Sequence, residues 1–136
     1  MSDYLLDTNI LILYLRKTDG YYELLDSLAM DDALYISAIT RLEIIRGMRD
    51  RECEATFDIL DSLETIEIRI EIADKAGELI RTWRTKGIAL EDADALIAAS
   101  ALEHGLALVT TNVKHFPMPD LVVYHADKQG KLTLRK

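Results

Sequence analysis

The sequence predicts an α/β fold: a central parallel sheet with helices on both faces. Two observations predict it. Short apolar runs such as Tyr4-Leu5-Leu6, Leu34-Tyr35-Ile36 and Leu106–Val109 alternate with longer stretches at helical spacing. Strands separated by helices pair in parallel, and the crossovers cover both faces of the sheet. The second observation is the segment 92–104, rich in alanine and apolar nearly all round. Such a helix belongs in the middle of a molecule, and its small side chains let it approach a sheet closely.

The elements follow in order. Tyr4–Leu6 is a first strand, and residues 9–16 read as a helix apolar on most sides. In 20–30, Tyr21, Leu25 and Leu28 share one helical stripe. Leu34–Ile36 is a second strand, 40–49 a helix, and Cys53, Phe57 and Leu60 form the stripe of another. Thr65–Ile68 reads as a strand, with β-branched residues around Glu67. In 71–86, Ile72, Ala76, Leu79 and Trp83 share a helix face, and Gly87 is the stop, as Gly105 is for 92–104. Leu106–Val109 and Leu121–Tyr124 are strands, with Pro117 and Pro119 marking a loop between them. Asp127–Gly130 turns the chain into a last strand, Leu132–Leu134. No repeat or linker interrupts residues 1–136, so they read as one domain, which the length suits.

Composition narrows the function. At 49% hydrophobic and 29% charged, the chain has an ordinary globular balance that excludes disorder. Its 24 acids against 16 Lys and Arg give a net charge of −8, which argues against a nonspecific nucleic-acid coat. Local basic patches survive. Arg41, Arg46, Arg49 and Arg51 cluster with only Glu43 and Asp50 among them, and the tail holds Lys128, Lys131, Arg135 and Lys136. Both patches read first as solvated faces. The longest apolar run, Ile10–Leu15, is far short of the roughly 20 residues that cross a membrane. The opening MSDYLLD has no basic leader, so no signal peptide is expected. A single cysteine, Cys53, excludes an internal disulfide and a cysteine-based zinc site, and a reducing cytoplasm is the expected setting.

Ligands of open α/β sheets bind beyond the carboxyl ends of the strands. The first strand ends in Asp7-Thr8-Asn9, and the second leads through Ser37 to Thr40-Arg41-Leu42-Glu43. The central helix opens with Glu91-Asp92-Ala93-Asp94, and the strand 106–109 runs into Thr110-Thr111-Asn112. Each group also has a plain structural reading. Asp7, Thr8 or Asn9 could cap a helix, and Thr40 with Glu43 matches a capping box that Ile39 and Ile44 would staple. The acids at 91–94 complement a helix N-terminus, and Asn112 could cap a short turn. However, the spacing of Glu43 from Ile39, and of Asp94 from Ile97 and Ala98, aims both acids toward the apolar side. Clustered, buried carboxylates need a cation or a shared proton. Carboxylate oxygens with waters suit Mg²⁺ or Mn²⁺; zinc would prefer His and Cys, and His104, His115 and His125 show no ligand spacing. Such a site handles phosphate. No phosphate-binding glycine motif follows a strand, and neither a nucleophile elbow nor a His beside Cys53 supports covalent hydrolysis.

In this order, four motifs resemble the PIN domain over about residues 1–125. They are Asp7-Thr8-Asn9 after an apolar strand, Thr40-x-x-Glu43, Asp94-Ala-Leu-Ile-Ala-Ala, and Leu108-Val-Thr-Thr-Asn112 with Phe116 beyond. The small size is most similar to VapC-type toxins of toxin–antitoxin pairs. The resemblance implies a single PIN-like domain with sheet order 3-2-1-4-5. It implies an endoribonuclease dependent on Mg²⁺ or Mn²⁺, with Asp7, Glu43 and Asp94 as catalytic, metal-holding acids. Asp7 and Asp94 would bind the metal directly, and Glu43 as a third ligand or through water. Asn112 stands where many members carry a fourth acid; Asp92 is nearby but not at that position. Thr8, Asn9, Ser37, Thr111 and Asn112 would hold ligands or waters. Arg46, Lys114 and His115 are candidates to contact the phosphate. The implied reaction is in-line hydrolysis of RNA, leaving 5′-phosphate and 3′-hydroxyl ends. The implied partners are an antitoxin and a second copy of the chain. Tyr14, Tyr21, Tyr22 and Leu25 could serve such a surface, or simply be core. Two rivals remain: a non-catalytic PIN scaffold, which Asn112 favours, and a receiver-like regulatory domain. The receiver lacks its paired acids after the first strand, and the Asp-x-Asp of a dehalogenase-type phosphatase is broken by Asn9.

Overall fold

The computed structural model describes residues 3–136. Strands β1 (Tyr4–Leu6), β2 (Leu34–Ser37), β3 (Glu64–Ile66), β4 (Ala107–Thr110), β5 (Val123–Ala126) and β6 (Leu132–Leu134) form one sheet. Its order is β3-β2-β1-β4-β5-β6, parallel from β3 to β5. The order 3-2-1-4-5 is as expected, and β6 adds an antiparallel border strand. A tight turn can only return the chain antiparallel, and that turn is fixed locally. The Asp127 carboxylate accepts the N–H groups of Gln129 at 2.8 Å and Lys131 at 2.9 Å.

Helices α1 (Thr8–Leu15), α2 (Tyr21–Asp31), α3 (Ala38–Gly47), α4 (Cys53–Ser62), α5 (Ile70–Thr85) and α6 (Asp92–His104) connect the strands. Successive strand residues point to opposite faces. Accordingly Leu5 and Leu108 join one core with Ile72, Ala76 and most of α6, while Leu6 and Val109 join another with residues of α1, α2 and α4. Tyr21 and Leu25 are ordinary core, whereas Tyr22 is exposed and stacks on Tyr14.

Several local expectations shift. The strand expected at 65–68 is 64–66, paired Ile36↔Thr65 and Ser37↔Ile66. The chain leaves the sheet at Glu67, whose carbonyl accepts the Arg69 N–H, and Ile68 is exposed. The strands expected at 106–109 and 121–124 start at Ala107 and Val123. Thr40 heads no capping box. Ser37 caps α3 by accepting the Ile39 N–H, and Ile39 and Ile44 pack in different cores, so they form no staple. Cys53 is exposed at the start of α4, not part of a buried stripe. Arg135 is no solvated tail residue: its guanidinium donates to the Phe116 carbonyl, and to those of Met118 at 2.8 Å and Leu121 at 3.0 Å.

Candidate active site

The carboxyl end of β1 delivers Asp7 to the boundary with α1. There it caps the helix, its Oδ1 accepting the Thr8 N–H at 2.8 Å. Its Oδ2 accepts the Thr110 hydroxyl at 2.7 Å. Strand register explains this partner. Leu6 pairs with Val109, and the Asp7 N–H bonds the Val109 carbonyl at 2.9 Å, so the next step sets Asp7 beside Thr110. Thr8 turns the other way. Its hydroxyl donates to Glu43 Oε1 at 2.8 Å and lies 2.9 Å from the hydroxyl of Thr40, which therefore donates to it. Helix α3 is thus tied to the start of α1 through two hydroxyls.

Asp94 stands in the first turn of α6, with its Oδ2 3.3 Å from His115 Nδ1. Glu43 Oε2 is 3.8 Å from an Arg46 nitrogen. One cavity of about 640 Å³ is lined by Asp7, Thr8, Asn9, Glu43, Arg46 and Asp94, with Asp92, Asn112 and His115 also on its wall. Three residues from the sequence-based set lie off this wall. Ser37 is fully buried as the α3 cap, 3.2 Å from the Ser100 hydroxyl that donates to it. Thr111 and Lys114 line an adjoining depression instead.

Asp7 and Asp94 are electrostatically costly where they stand. Burial raises the Asp7 carboxyl above its ordinary value, its bonds from Thr110 and Thr8 oppose this, and the Glu43 charge adds to it. Asp94 is pushed up to about 6, chiefly by burial and then by the Asp7 charge, with Glu43 and Glu91 adding and His115 opposing. Carboxylates in one polar cavity, with the Glu43 charge disfavouring ionisation of both Asp7 and Asp94, suit a cation.

Among the described residues, no three His, Cys, Asp or Glu side chains form a ready-made metal cage. Each acid is instead turned to a protein partner: Asp7 to Thr8 and Thr110, Glu43 to Thr8 and Arg46, Asp94 to His115. The donor set, carboxylates with an amide and hydroxyls, fits a hard divalent ion. Such an ion keeps several waters and takes one or two carboxylates directly.

The PIN domain family model matches residues 4–117. This chain belongs to the PIN domain family. Relatives of this PIN domain include "Ribonuclease VapC2" of Rickettsia felis, 33% identical over 132 residues, covering 92% of this chain and 98% of the relative. "Ribonuclease VapC10" of Mycobacterium tuberculosis is 36% identical over 114 residues, covering 84% of this chain and 86% of the relative. Among solved structures, VapBC2 of Rickettsia felis bound to a promoter DNA fragment superposes with a TM-score of 0.80 at 30% identity, covering 91% of this chain and 98% of that one.

Two residues of this PIN domain's site escape a sequence reading. Thr110, not Thr111, reaches Asp7, and Thr40 braces Thr8 rather than capping a helix. The signal for Thr110 is positional. It ends β4 as Asp7 follows β1, and parallel neighbours in register place them side by side. Thr40 carries no such signal, because its partner lies on an element 32 positions away.

Proposed function

We propose that this PIN domain is a VapC-type endoribonuclease that hydrolyses RNA phosphodiesters with Mg²⁺ or Mn²⁺, and the toxin of a toxin–antitoxin pair. The single observation that carries the reading is the meeting of Asp7, Glu43 and Asp94 on one cavity wall at the carboxyl ends of β1 and β4. Relatives named as ribonucleases support the chemistry. Asp7 and Asp94 would hold the metal directly and Glu43 directly or through water. When bound, the ion would supply an activated water and stabilise charge on the leaving oxygen.

The protein's own residues do the positioning. Thr110 and the Thr8 N–H fix the Asp7 rotamer from both oxygens. Thr8 and Thr40 hold Glu43 to the same wall. Arg46 and His115, each against one acid, would contact the phosphate, and a guanidinium is a strong phosphate partner. Asn112 and Asn9 offer amides on the same wall to orient water or ribose. No side-chain nucleophile is required.

The partner is an antitoxin, and the chain works as a cytoplasmic homodimer. Solved relatives described as VapBC and as a toxin–antitoxin complex support the partner. The reading is tested by incubating single-stranded RNA with the protein and Mg²⁺ or Mn²⁺, with and without EDTA, beside Asp94→Asn. The expected result is cleavage to 5′-phosphate ends that EDTA stops and Asp94→Asn lowers about 100-fold or more. Equal cleavage by Asp94→Asn rejects it. The scaffold reading draws on Asn112 and on the acids being turned to protein partners; it predicts antitoxin binding without cleavage in either metal.

A further inference from the structure

The four clustered arginines are spent differently. Arg41 pairs with Asp61 at 3.2 Å, and Arg46 leans on Glu43 in the acid cavity. Arg49 and Arg51, with Arg16 just beyond α1, line a second depression of about 650 Å³ over an apolar floor that includes Leu15 and Ile44. Among the described residues, none of these three arginines forms an ion pair. Ile12 and Glu43 line both the acid cavity and this depression, so the two adjoin. The acid cavity also shares Asn112 and His115 with a third depression of about 580 Å³, which adds Lys114 and His125.

We propose that the three depressions form one track for a single RNA strand, entering over Arg49 and Arg51 and leaving over Lys114 and His125, with the acids in between. The proposal rests on the nuclease reading for what happens at the centre, but the binding stands by itself. A net charge of −8 repels RNA from most of the surface, so attraction has to be local. The carboxylates at the centre add to that repulsion, and cations on both flanks offset it. Guanidinium forks match phosphate oxygens. The apolar floor and the imidazoles accept bases by contact and stacking, which every base permits. Two acids line the arginine depression: Glu43, which it shares with the acid cavity, and Glu52, whose Oε1 accepts the Arg49 N–H at 2.6 Å.

The test is direct binding of a labelled single-stranded RNA of about 16 nucleotides, in EDTA so that the strand stays intact, followed by fluorescence anisotropy across salt concentrations. Wild type is compared with Arg49→Ala/Arg51→Ala and with Arg81→Ala/Arg84→Ala. The second pair removes the same charge from exposed positions on α5, in the other core layer. The track predicts about tenfold weaker binding for the first pair and a salt slope shallower by about 1.4, from two lost phosphate contacts on a single strand. The second pair should match wild type. Equal effects of the two pairs, or binding unchanged without Arg49 and Arg51, overturn the track; the latter would assign the arginine depression to a polypeptide. No binding by wild type overturns it too. Cleavage is scored separately. Arginine-dependent binding without cleavage defeats the nuclease reading alone, and cleavage without arginine dependence defeats the track alone.

Discussion

The Thr8 hydroxyl donates to the Glu43 carboxylate at 2.8 Å across 35 positions of sequence, tying the start of α1 to the middle of α3. Because Thr40 in turn donates to Thr8, removing one hydroxyl releases two groups. Thr8→Val keeps the shape and loses both bonds. It is expected to lower cleavage by about 10- to 100-fold, the usual cost of losing a support behind a metal-site acid. The thermal midpoint should fall by about 4 °C, from roughly 1 kcal/mol of lost hydrogen bonding. Cleavage at the wild-type rate would show that Glu43 needs no such support.

Burial, and then the Asp7 charge, push the Asp94 carboxyl from its ordinary 3.8 up to about 6 in the folded protein. The folded form therefore keeps its proton to higher pH than the unfolded chain, so metal-free stability falls as pH rises from about 4 through about 6 and then levels off. The side chain keeps 19% exposure, so screening reduces the loss to on the order of 1–2 kcal/mol. Asp94→Asn removes this cost. In EDTA its thermal midpoint should exceed that of wild type above pH 6 and converge with it near pH 4. A constant gap across that range would contradict the assignment of charge repulsion.

Added divalent metal should act in the opposite sense. Mg²⁺ or Mn²⁺ bound only by the folded form raises the wild-type midpoint by mass action. Asp7→Asn and Asp94→Asn should lose most of that rise. Calorimetric melts with and without metal give the comparison, and an equal rise in all three proteins would place the ion elsewhere.

Gly20 has a φ of +88° and sits against the β5–β6 turn; a Cβ there would lie 1.8 Å from the Gln129 carbonyl oxygen. Neither the conformation nor the space admits alanine, and the obstacle is backbone. Gly20→Ala should cost about 3 kcal/mol or more in urea unfolding. It should also break the bond from the Tyr21 hydroxyl to the Asp127 carbonyl, now 2.7 Å. An unchanged unfolding midpoint would be the contrary result.

Arg135→Ala strips donors from the carbonyls of Phe116, Met118 and Leu121, which close the loop carrying His115. Faster amide exchange at 113–121 and a loss of about 2 kcal/mol are expected. Arg135→Lys should recover only part, since an ammonium cannot span the same fork. Exchange rates in Arg135→Ala equal to those of wild type would dismiss the clamp.

Much of this was legible in the residues, for physical reasons that can be named. The all-apolar 92–104 segment could only be buried, and α6 is, with Ala95, Ala98 and Ala99 fully covered. The helix stops at Gly105 were readable because its φ of +63° costs glycine little. Strand limits were less legible. Leu121 is buried, yet it lies in the loop before β5, because burial and ladder pairing are different conditions. In the site, the acids stood out because buried charge is rare. The hydroxyls that orient them did not, because a threonine bonding across the sheet looks the same in sequence as one capping a helix. Ser37 shows the reverse error: its place at a strand end suggested the site, and it serves the α3 cap instead.

The hairpin that closes the chain has one more effect. With β6 laid along β5, the two outer borders of the sheet are β3 and β6, three residues each, with Glu64 on one and Thr133 on the other facing water. Long flat borders template the growth of foreign strands, whereas short ones with polar residues do not. Their shortness therefore limits how far a foreign strand could pair along either margin, although Leu134 on β6 is exposed.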